Sequence, residues 1–506
     1  MLRNIRIFFA VFFLLAATLI FLDFTGTVHA WLGWVARVQL LPAIMAMNVA
    51  VIAALVLLTL LFGRVYCSVI CPLGIMQDVF GRFGKMAKKN RYSYSAAHNV
   101  LRYGFLALMI VSIIFGLGYI TTLLAPYSAF GRIVQSLFGP IWQWANNGLA
   151  YLAERQGSYM FYTRDVWIRS GIMMGVAAIT LAALGVLAWR NGRTYCNTVC
   201  PVGTALGLLS RWSLFRPVID QSKCNGCGLC ARNCKASCID SRNHSIDLSR
   251  CVACMDCIGK CHKNAITYST PFAARPIVAD EAAEGAPSGN SDQFSRRKFL
   301  TLTAMLSASA AVRSVAQKVD GGLAAIEDKK VPERKSRIVP PGARSQADFA
   351  SRCTGCQLCV AVCPNDVLRP STDITRALQP ECSYERGYCR PECTACSDVC
   401  PSGAILPIDI AEKSSVQVGH AVWVKENCIP LTDGVPCGNC ARHCPAGAIT
   451  MIVPKNEDIK MAEGKELAIP VVDSERCIGC GACENLCPSR PFSAIYVEGH
   501  EKHRKI

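Results

Sequence analysis

Cys477-Ile478-Gly479-Cys480-Gly481-Ala482-Cys483-Glu484-Asn485-Leu486-Cys487-Pro488 decides how this chain is read. Three thiols two residues apart can face one iron–sulfur cube from a single tight loop. The fourth, followed by proline, is turned toward a neighbouring cube. The run recurs at Cys353, Cys356, Cys359 and Cys363-Pro364. It recurs without proline at Cys224, Cys227, Cys230, Cys234 and at Cys251, Cys254, Cys257, Cys261. Two variants, Cys389, Cys393, Cys396, Cys400-Pro401 and Cys428, Cys437, Cys440, Cys444-Pro445, bring the total to six. These cysteines are therefore expected to be the iron ligands of about six [4Fe-4S] clusters, and clusters in series describe an electron conduit.

Six such sites use 24 of the 30 cysteines and leave Cys67, Cys71, Cys196, Cys200, Cys238 and Cys382. A disulfide scaffold would explain so much cysteine only in a short secreted chain. Structural zinc takes two CxxC pairs with a longer spacer, so tight runs ending before proline fit iron–sulfur better. Cys382 and Cys389 compete as first ligand of the motif that ends at Cys400, and the shorter loop favours Cys389. Cys238 is read as packing. Hydrophobic residues make up 52% of the 506, with the excess before residue 190. Mean hydropathy is +0.28. The net charge of +17 comes from basic residues clustered beside apolar stretches, a membrane-topology pattern rather than a nucleic-acid one.

Four segments, Ile7–Phe24, Pro42–Phe62, Leu101–Leu123 and Trp167–Trp189, are expected to cross a bilayer at about 20 residues each. Arg64, Arg82, Lys85, Lys88, Lys89 and Arg91 follow the second, and Arg190, Arg193, Arg211 and Arg216 follow the fourth. The intervening loops carry fewer. The positive-inside rule then puts the N-terminus, the 63–99 loop and the chain just after residue 190 in the cytoplasm. Gly63-Arg64-Val65-Tyr66-Cys67-Ser68-Val69-Ile70-Cys71-Pro72-Leu73-Gly74 repeats as Gly192-Arg193-Thr194-Tyr195-Cys196-Asn197-Thr198-Val199-Cys200-Pro201-Val202-Gly203, 129 residues on. The fold class expected is a membrane α-helical bundle of four spans with a two-fold internal repeat, plus α+β ferredoxin-like [4Fe-4S] domains. Cys67, Cys71, Cys196 and Cys200 are either buried small hydrophobes or a redox set. The redox set would be a thiol/disulfide couple, or four thiolates meeting across the repeat to hold one more cluster. Haem is not expected, since only His29 and His98 lie near span ends. Tyr66, Tyr195, Gln77 and Asp78 are the nearest polar candidates for a quinone, each equally readable as a structural hydrogen bonder.

The domains read as 1–215 (helical, with both CxxxCP loops), 216–270 (two clusters), 271–294 (an Ala/Gly/Pro/Ser linker), 295–317 and 345–500 (four clusters). Lys223–Tyr268 resembles a bacterial two-cluster ferredoxin, and that resemblance implies that Cys224, Cys227, Cys230 and Cys261 share one cube and Cys251, Cys254, Cys257 and Cys234 the other. Ser295-Arg296-Arg297-Lys298-Phe299-Leu300 resembles a twin-arginine export signal, with a basic amphipathic helix as the bland alternative. In the last domain, Gly403-Ala404-Ile405, Gly447-Ala448-Ile449 and Ser493-Ala494-Ile495 suggest a strand after each cluster loop. Crossed pairing of the first motif with the fourth, and the second with the third, is expected there.

On these motifs, residues 1–270 resemble the membrane quinol-dehydrogenase ferredoxin subunit of periplasmic nitrate reductase systems, the NapH type. Residues 295–498 resemble its NapG/MauM-type ferredoxin partner, and the chain looks like a fusion of the two. The resemblance implies an electron-transfer subunit in the bacterial inner membrane. Its first ferredoxin domain would be cytoplasmic and its last periplasmic. Electrons would pass from the quinol pool through the clusters to a periplasmic oxidoreductase or cytochrome. A maturation factor for a respiratory metalloenzyme is the alternative, since such factors share the twin CxxxCP loops. A redox sensor is a third class, with no nucleotide loop or DNA-binding module to support it.

Overall fold

The computed structural model describes residues 2–90, 92–270, 327–373, 376–454 and 467–506. The expected linker and twin-arginine segment lie outside the described residues.

The helical unit begins with α1 (Leu2–Leu22), an apolar helix whose Ala17, Ile20 and Phe21 are fully buried while Phe8 is 69% exposed. It continues through α2 (Val49–Phe62), α3 (Pro72–Met86), α4 (Asn99–Ile114), α5 (Pro126–Ile133), α6 (Gly139–Arg155), α7 (Gly171–Asn191) and α8 (Pro201–Leu209). Of these, α1 and α7, each of 21 residues, are long and apolar enough to cross a membrane. The other two expected spans are interrupted. The stretch Pro42–Phe62 breaks at Met47 (φ +53), and Asn48 then starts α2 by accepting from the Val51 amide. Leu101–Leu123 breaks at Gly116 (φ +67), and helix resumes at Gly118. A left-handed residue ends a helix because it turns the chain out of the i→i−4 ladder. α2 and α4 are therefore 14 and 16 residues long.

The internal repeat is visible in the backbone. α2 and α7 end at Gly63 (φ +69) and Gly192 (φ +68). One-turn helices, Val65–Val69 and Thr194–Thr198, follow. Cys71 and Cys200 then take matching extended conformations, and Pro72 and Pro201 open α3 and α8. Proline suits the first helical turn because its missing N–H has no partner there. Gly84 of α3 lies under Trp189 of α7, where an added Cβ would stand 2.1 Å from the Trp189 carbonyl.

The two ferredoxin blocks sit at opposite ends of α1, which is about 30 Å long at 1.5 Å per residue. At its start, Arg3 pairs with Asp256 of the first block and Arg6 with Asp78. At its finish, Phe21 packs on Tyr127 and Phe130 of α5, which in turn meets the last domain. Ser128 donates to the Thr354 carbonyl (2.5 Å), Arg169 pairs with Asp366 (2.8 Å), and Arg369 and Arg386 both lie over the Trp167 ring.

β1 (Arg216–Ile219) and β2 (Ile266–Ser269) pair antiparallel across the first block, Arg216 opposite Ser269. In the last domain β3 (Val416–Trp423) and β4 (Ile495–Lys505) form the longest ladder, with a bulge between Gly499 and Arg504. Strands follow Ala448 and Ala494 as expected. None follows Ala404, because Pro407 cannot donate to a ladder and Leu406 instead donates to Gly342.

A Cβ on Gly131 would lie 2.2 Å from the Cys356 carbonyl and 2.7 Å from the Phe21 ring. Gly131→Leu is therefore expected to weaken docking of the last domain by about 1–3 kcal/mol, the usual cost of overpacking. Amide exchange in 118–133 and 353–362 should accelerate; unchanged exchange in both would contradict this close approach.

Candidate metal centres

None of the thirty cysteines is paired in a disulfide in this structure. Among the described residues, no three His, Cys, Asp or Glu groups close tightly enough to hold a single metal ion. A cube of four irons is a larger object whose thiolates must stand further apart. The loops fit such a group. Backbone amides point at the sulfurs of Cys353 (from Gly355, 3.4 Å), Cys400 (from Ile405, 3.4 Å), Cys444 (from Ala448, 3.3 Å) and Cys487 (from Ala494, 3.3 Å). Burial pushes the Cys356 and Cys480 thiols up to about 12, so at neutral pH these sulfurs keep their protons until iron displaces them.

In the first block Cys251, Cys254, Cys257 and Cys234 come within electrostatic reach of one another. Cys224 and Cys227 gather around Cys230. Cys238 packs directly on this site, its sulfur 3.5 Å from that of Cys234.

The last domain pairs its motifs differently from the sequence expectation. Cys400 approaches Cys353, Cys356 and Cys359, and Cys363 approaches Cys389 and Cys396. Cys487 approaches Cys428 and Cys440, with Cys437 lining the same hollow, and Cys444 approaches Cys477 and Cys480, with Cys483 lining the same hollow. The first motif thus crosses with the second, and the third with the fourth. Cys363 and Cys487 end their short helices in extended backbone, which carries each toward the loop adjacent in sequence. Cys382 lies buried beside Cys389, Cys396 and Cys363, so five thiols crowd the second set. The sets themselves abut, the Cys389 amide donating to the Cys480 carbonyl (2.9 Å).

Cys67, Cys71, Cys196 and Cys200 are each 4% exposed, and every pair of the four lies within electrostatic reach. Two arginines exchange across the repeat to build this nest. Arg193 Nη1 donates to the Cys67 carbonyl (2.6 Å) and Arg64 Nη2 to the Cys196 carbonyl (3.2 Å). Arg64 also reaches the Cys67 sulfur (3.8 Å), Asn197 and the Ser249 carbonyl, and Gln77 donates to the Cys196 sulfur (3.2 Å). Gly74 and Gly203 leave room for the crossing guanidinium groups, which would stand 2.7 and 2.8 Å from an added Cβ. Asp78 binds Arg193 (2.7 Å), Lys235 (2.8 Å) and Arg6 (3.2 Å). Burial pushes its carboxyl up, but Arg193, Lys235 and Arg6 outweigh that and hold it well below the usual carboxylate range. Tyr66 donates to Gln39 (3.0 Å). Gln77, Asp78 and Tyr66 therefore brace the cysteine loops.

Sequence reasoning missed Arg64 and Arg193, which were counted as topology charges. Their identical places in Gly-Arg-x-Tyr-Cys were the available signal.

Residues 44–91 and 171–218 each match a family described as a 4Fe-4S binding domain, as do residues 349–369. Residues 435–490 match a 4Fe-4S dicluster domain. The ferredoxin-type protein NapG of Escherichia coli is 36% identical over 182 residues, 33% of this chain and 75% of that protein. The methylamine utilization ferredoxin-type protein MauM of Paracoccus denitrificans is 35% identical over 202 residues, 38% of this chain and 84% of that protein. MauM of Methylorubrum extorquens is 34% identical over 177 residues, 32% of this chain and 72% of that protein.

Two outcomes follow from the geometry. Cys363→Ser should alter the spectrum of the centre held by Cys389, Cys393 and Cys396 and spare that of the fourth motif; the reverse pattern would restore the first-with-fourth pairing. Asp78→Asn should destabilise the helical unit by about 3–5 kcal/mol, because it strands buried cations; a thermal midpoint equal to wild type would show the ion cluster to be dispensable.

Proposed function

The chain belongs to the NapG/MauM family of ferredoxin-type proteins, and from that premise we propose that it relays electrons from a membrane quinol to a periplasmic oxidoreductase or cytochrome. The observation that carries this reading is a chain of contacts that links cysteine sets from the first block to the last domain. The Cys251 set of the first block touches Arg64 electrostatically, and Arg64 braces the CxxxCP nest. From the nest, Tyr195 reaches Arg132 of α5, and the neighbouring Gly131 lies against the Cys356 carbonyl. The remaining sets of the last domain then abut in turn. Bound clusters accept and release single electrons. The protein's own part is to hold them apart from water, with amides and guanidinium groups turned toward their sulfurs.

The four CxxxCP thiols belong in this series as the ligands of a seventh cluster. Charge favours it: buried Arg64 makes no ion pair among the described residues, and a thiolate-bound cluster supplies negative charge. Membrane attachment rests on α1 and α7 and on the apolar side chains they leave exposed, Phe8, Leu15, Ile172 and Ile179 among them. Such a surface is costly in water. α2 and α4, with the short helices before and after their breaks, would complete a four-span bundle like that of the NapH type. Positive-inside placement then puts the first block in the cytoplasm and the last domain in the periplasm of a bacterial inner membrane.

Adding a reduced menaquinol analogue to anaerobic membranes should bleach cluster absorbance near about 420 nm. Intact clusters that fail to bleach would favour maturation of a metalloenzyme instead. Iron should fall from about 28 to about 24 atoms per chain in a Cys71→Ser, Cys200→Ser double variant; equal iron in both would remove the seventh cluster.

A further inference from the structure

We propose that the outer cysteine set of the first block, Cys224, Cys227 and Cys230, is a port where a small acidic electron-carrier protein docks and loads single electrons into the relay. The inference goes beyond the quinol-linked reading and needs only the relay itself. Of the thirty cysteines, Cys227 alone is exposed to solvent. The inner set of this block is turned the other way. Its loops meet the helical unit through Asp256 with Arg3, Lys235 with Asp78, and the Ser249 carbonyl with Arg64. The outer set therefore stands at the water-facing end of the relay, with the last domain beyond the opposite end of α1. A donor dissolved in lipid gives such a set nothing to do. A donor dissolved in water needs it, because an electron crosses only where the edges of two carriers approach closely.

Charge says what docks there. Lys223 precedes Cys224, and Arg232 lies on the helix Leu229–Asn233 that carries Cys230. The turn Ile258–Lys260 packs on that helix and brings Lys260, then Lys263, to the same end of the block. Gly226 and Gly228 flank Cys227, and a Cβ on them would stand 3.9 and 3.5 Å from Ser241. That close approach sets Arg242 beside the exposed thiol. All five cations are exposed. The carboxylates beside them are Asp220 and Asp240. Asp220 lies 3.8 Å from Lys223 and accepts from Ser222, and Asp240 accepts from Asn243 and the Arg242 amide. Arg232, Lys260 and Lys263 make no ion pair among the described residues. Burial and then Lys260 lower the pKa of Lys85, which shows that positive charge accumulates here without an answer. Membrane topology does not ask for these groups. The positive-inside bias is set within about 20 residues of a span, and Lys260 and Lys263 lie far beyond α7, which ends at Asn191. Cations carried by the ligand loops themselves fit a partner whose own redox centre is ringed by carboxylates. Redox encounters of this kind are small and brief, and their rate comes from charge rather than from buried area.

The step is a bare electron transfer. One electron leaves the reduced carrier and one oxidised cluster of the outer set accepts it; no bond forms or breaks and no proton is required to move. The electron passes on to the Cys251 set, and the oxidised carrier departs.

The test uses full-length, cluster-loaded protein in nanodiscs of neutral phosphatidylcholine, mixed anaerobically with an acidic flavodoxin reduced to its hydroquinone. Cluster absorbance should bleach as the flavodoxin oxidises, at a rate that falls as salt rises. The triple variant Arg242→Glu, Lys260→Glu, Lys263→Glu should slow this by about 10–100-fold at low salt, with iron content and bleaching by dithionite unchanged. Lys335→Glu, at an exposed position of the last domain, should behave like wild type. A carbodiimide should link flavodoxin carboxylates to Lys223, Lys260 or Lys263. Bleaching by quinol but not by flavodoxin overturns the port and spares the quinol reading. Bleaching by flavodoxin but not by quinol does the reverse, and bleaching by neither, in protein that dithionite reduces, overturns both. Equal flavodoxin rates in the triple variant and wild type overturn this face as the docking surface; if that variant also stops binding anionic vesicles, the face belongs to lipid headgroups instead.

Discussion

Two buried guanidinium groups, crossing from one repeat to the other, set the terms for the centre of this molecule. Arg64 and Arg193 are essentially inaccessible to solvent, and each donates to the carbonyl of the other repeat's first CxxxCP cysteine. Neither repeat can complete its cysteine loop alone. The cationic surplus is uneven, since Asp78 answers Arg193, Arg6 and Lys235 together while Arg64 receives only carbonyl, amide and sulfur partners. Leaving a guanidinium buried and uncompensated costs several kcal/mol. The four sulfurs between the arginines are the remaining source of negative charge, provided that a metal keeps them deprotonated. The same arginines that shape the nest therefore ask for its occupant.

The nest also joins the two ends of the chain. Arg64 holds the Ser249 carbonyl of the first block as it holds the Cys196 loop, and Lys235 ties that block to Asp78. On the far side, close approach at Gly131 leaves no room for a side chain between α5 and the Cys356 loop. Glycine at such a point is a packing requirement. A relay needs its carriers at fixed separations, and these backbone-to-backbone contacts fix them better than flexible surface pairs would.

How much of this was legible in the sequence depended on whether the information was local. Each cluster loop was readable because its cysteines lie within 17 residues, and in five of the six motifs within 12. The repeat was readable because Gly63 and Gly192 share a left-handed turn as well as a name. The pairing of motifs in the last domain was not, since it depends on where extended backbone after Cys363 and Cys487 leads. The interrupted spans were half-visible: Gly116 marked one break, but Met47 in a left-handed conformation has no composition signal. Arg64 and Arg193 looked like surface charges that set topology, because nothing in a charge count reports burial.

Gln357 shows what only three dimensions reveal. In sequence it is one residue inside a cysteine motif, where glycine would ease the turn. Only the fold brings it opposite Met173 and Met174, which lie more than 180 residues earlier in the chain. Its amide is then half satisfied, with the nitrogen held by Leu378 and the oxygen left over. A residue that accepts a strained backbone and an unsatisfied acceptor loses stability twice, and selection tolerates such losses mainly where a ligand restores them. Gln77 beside the CxxxCP nest is in the same position, its nitrogen on the Cys196 sulfur and its oxygen buried without a donor, so two glutamines that neighbour cysteine sets share this deficit.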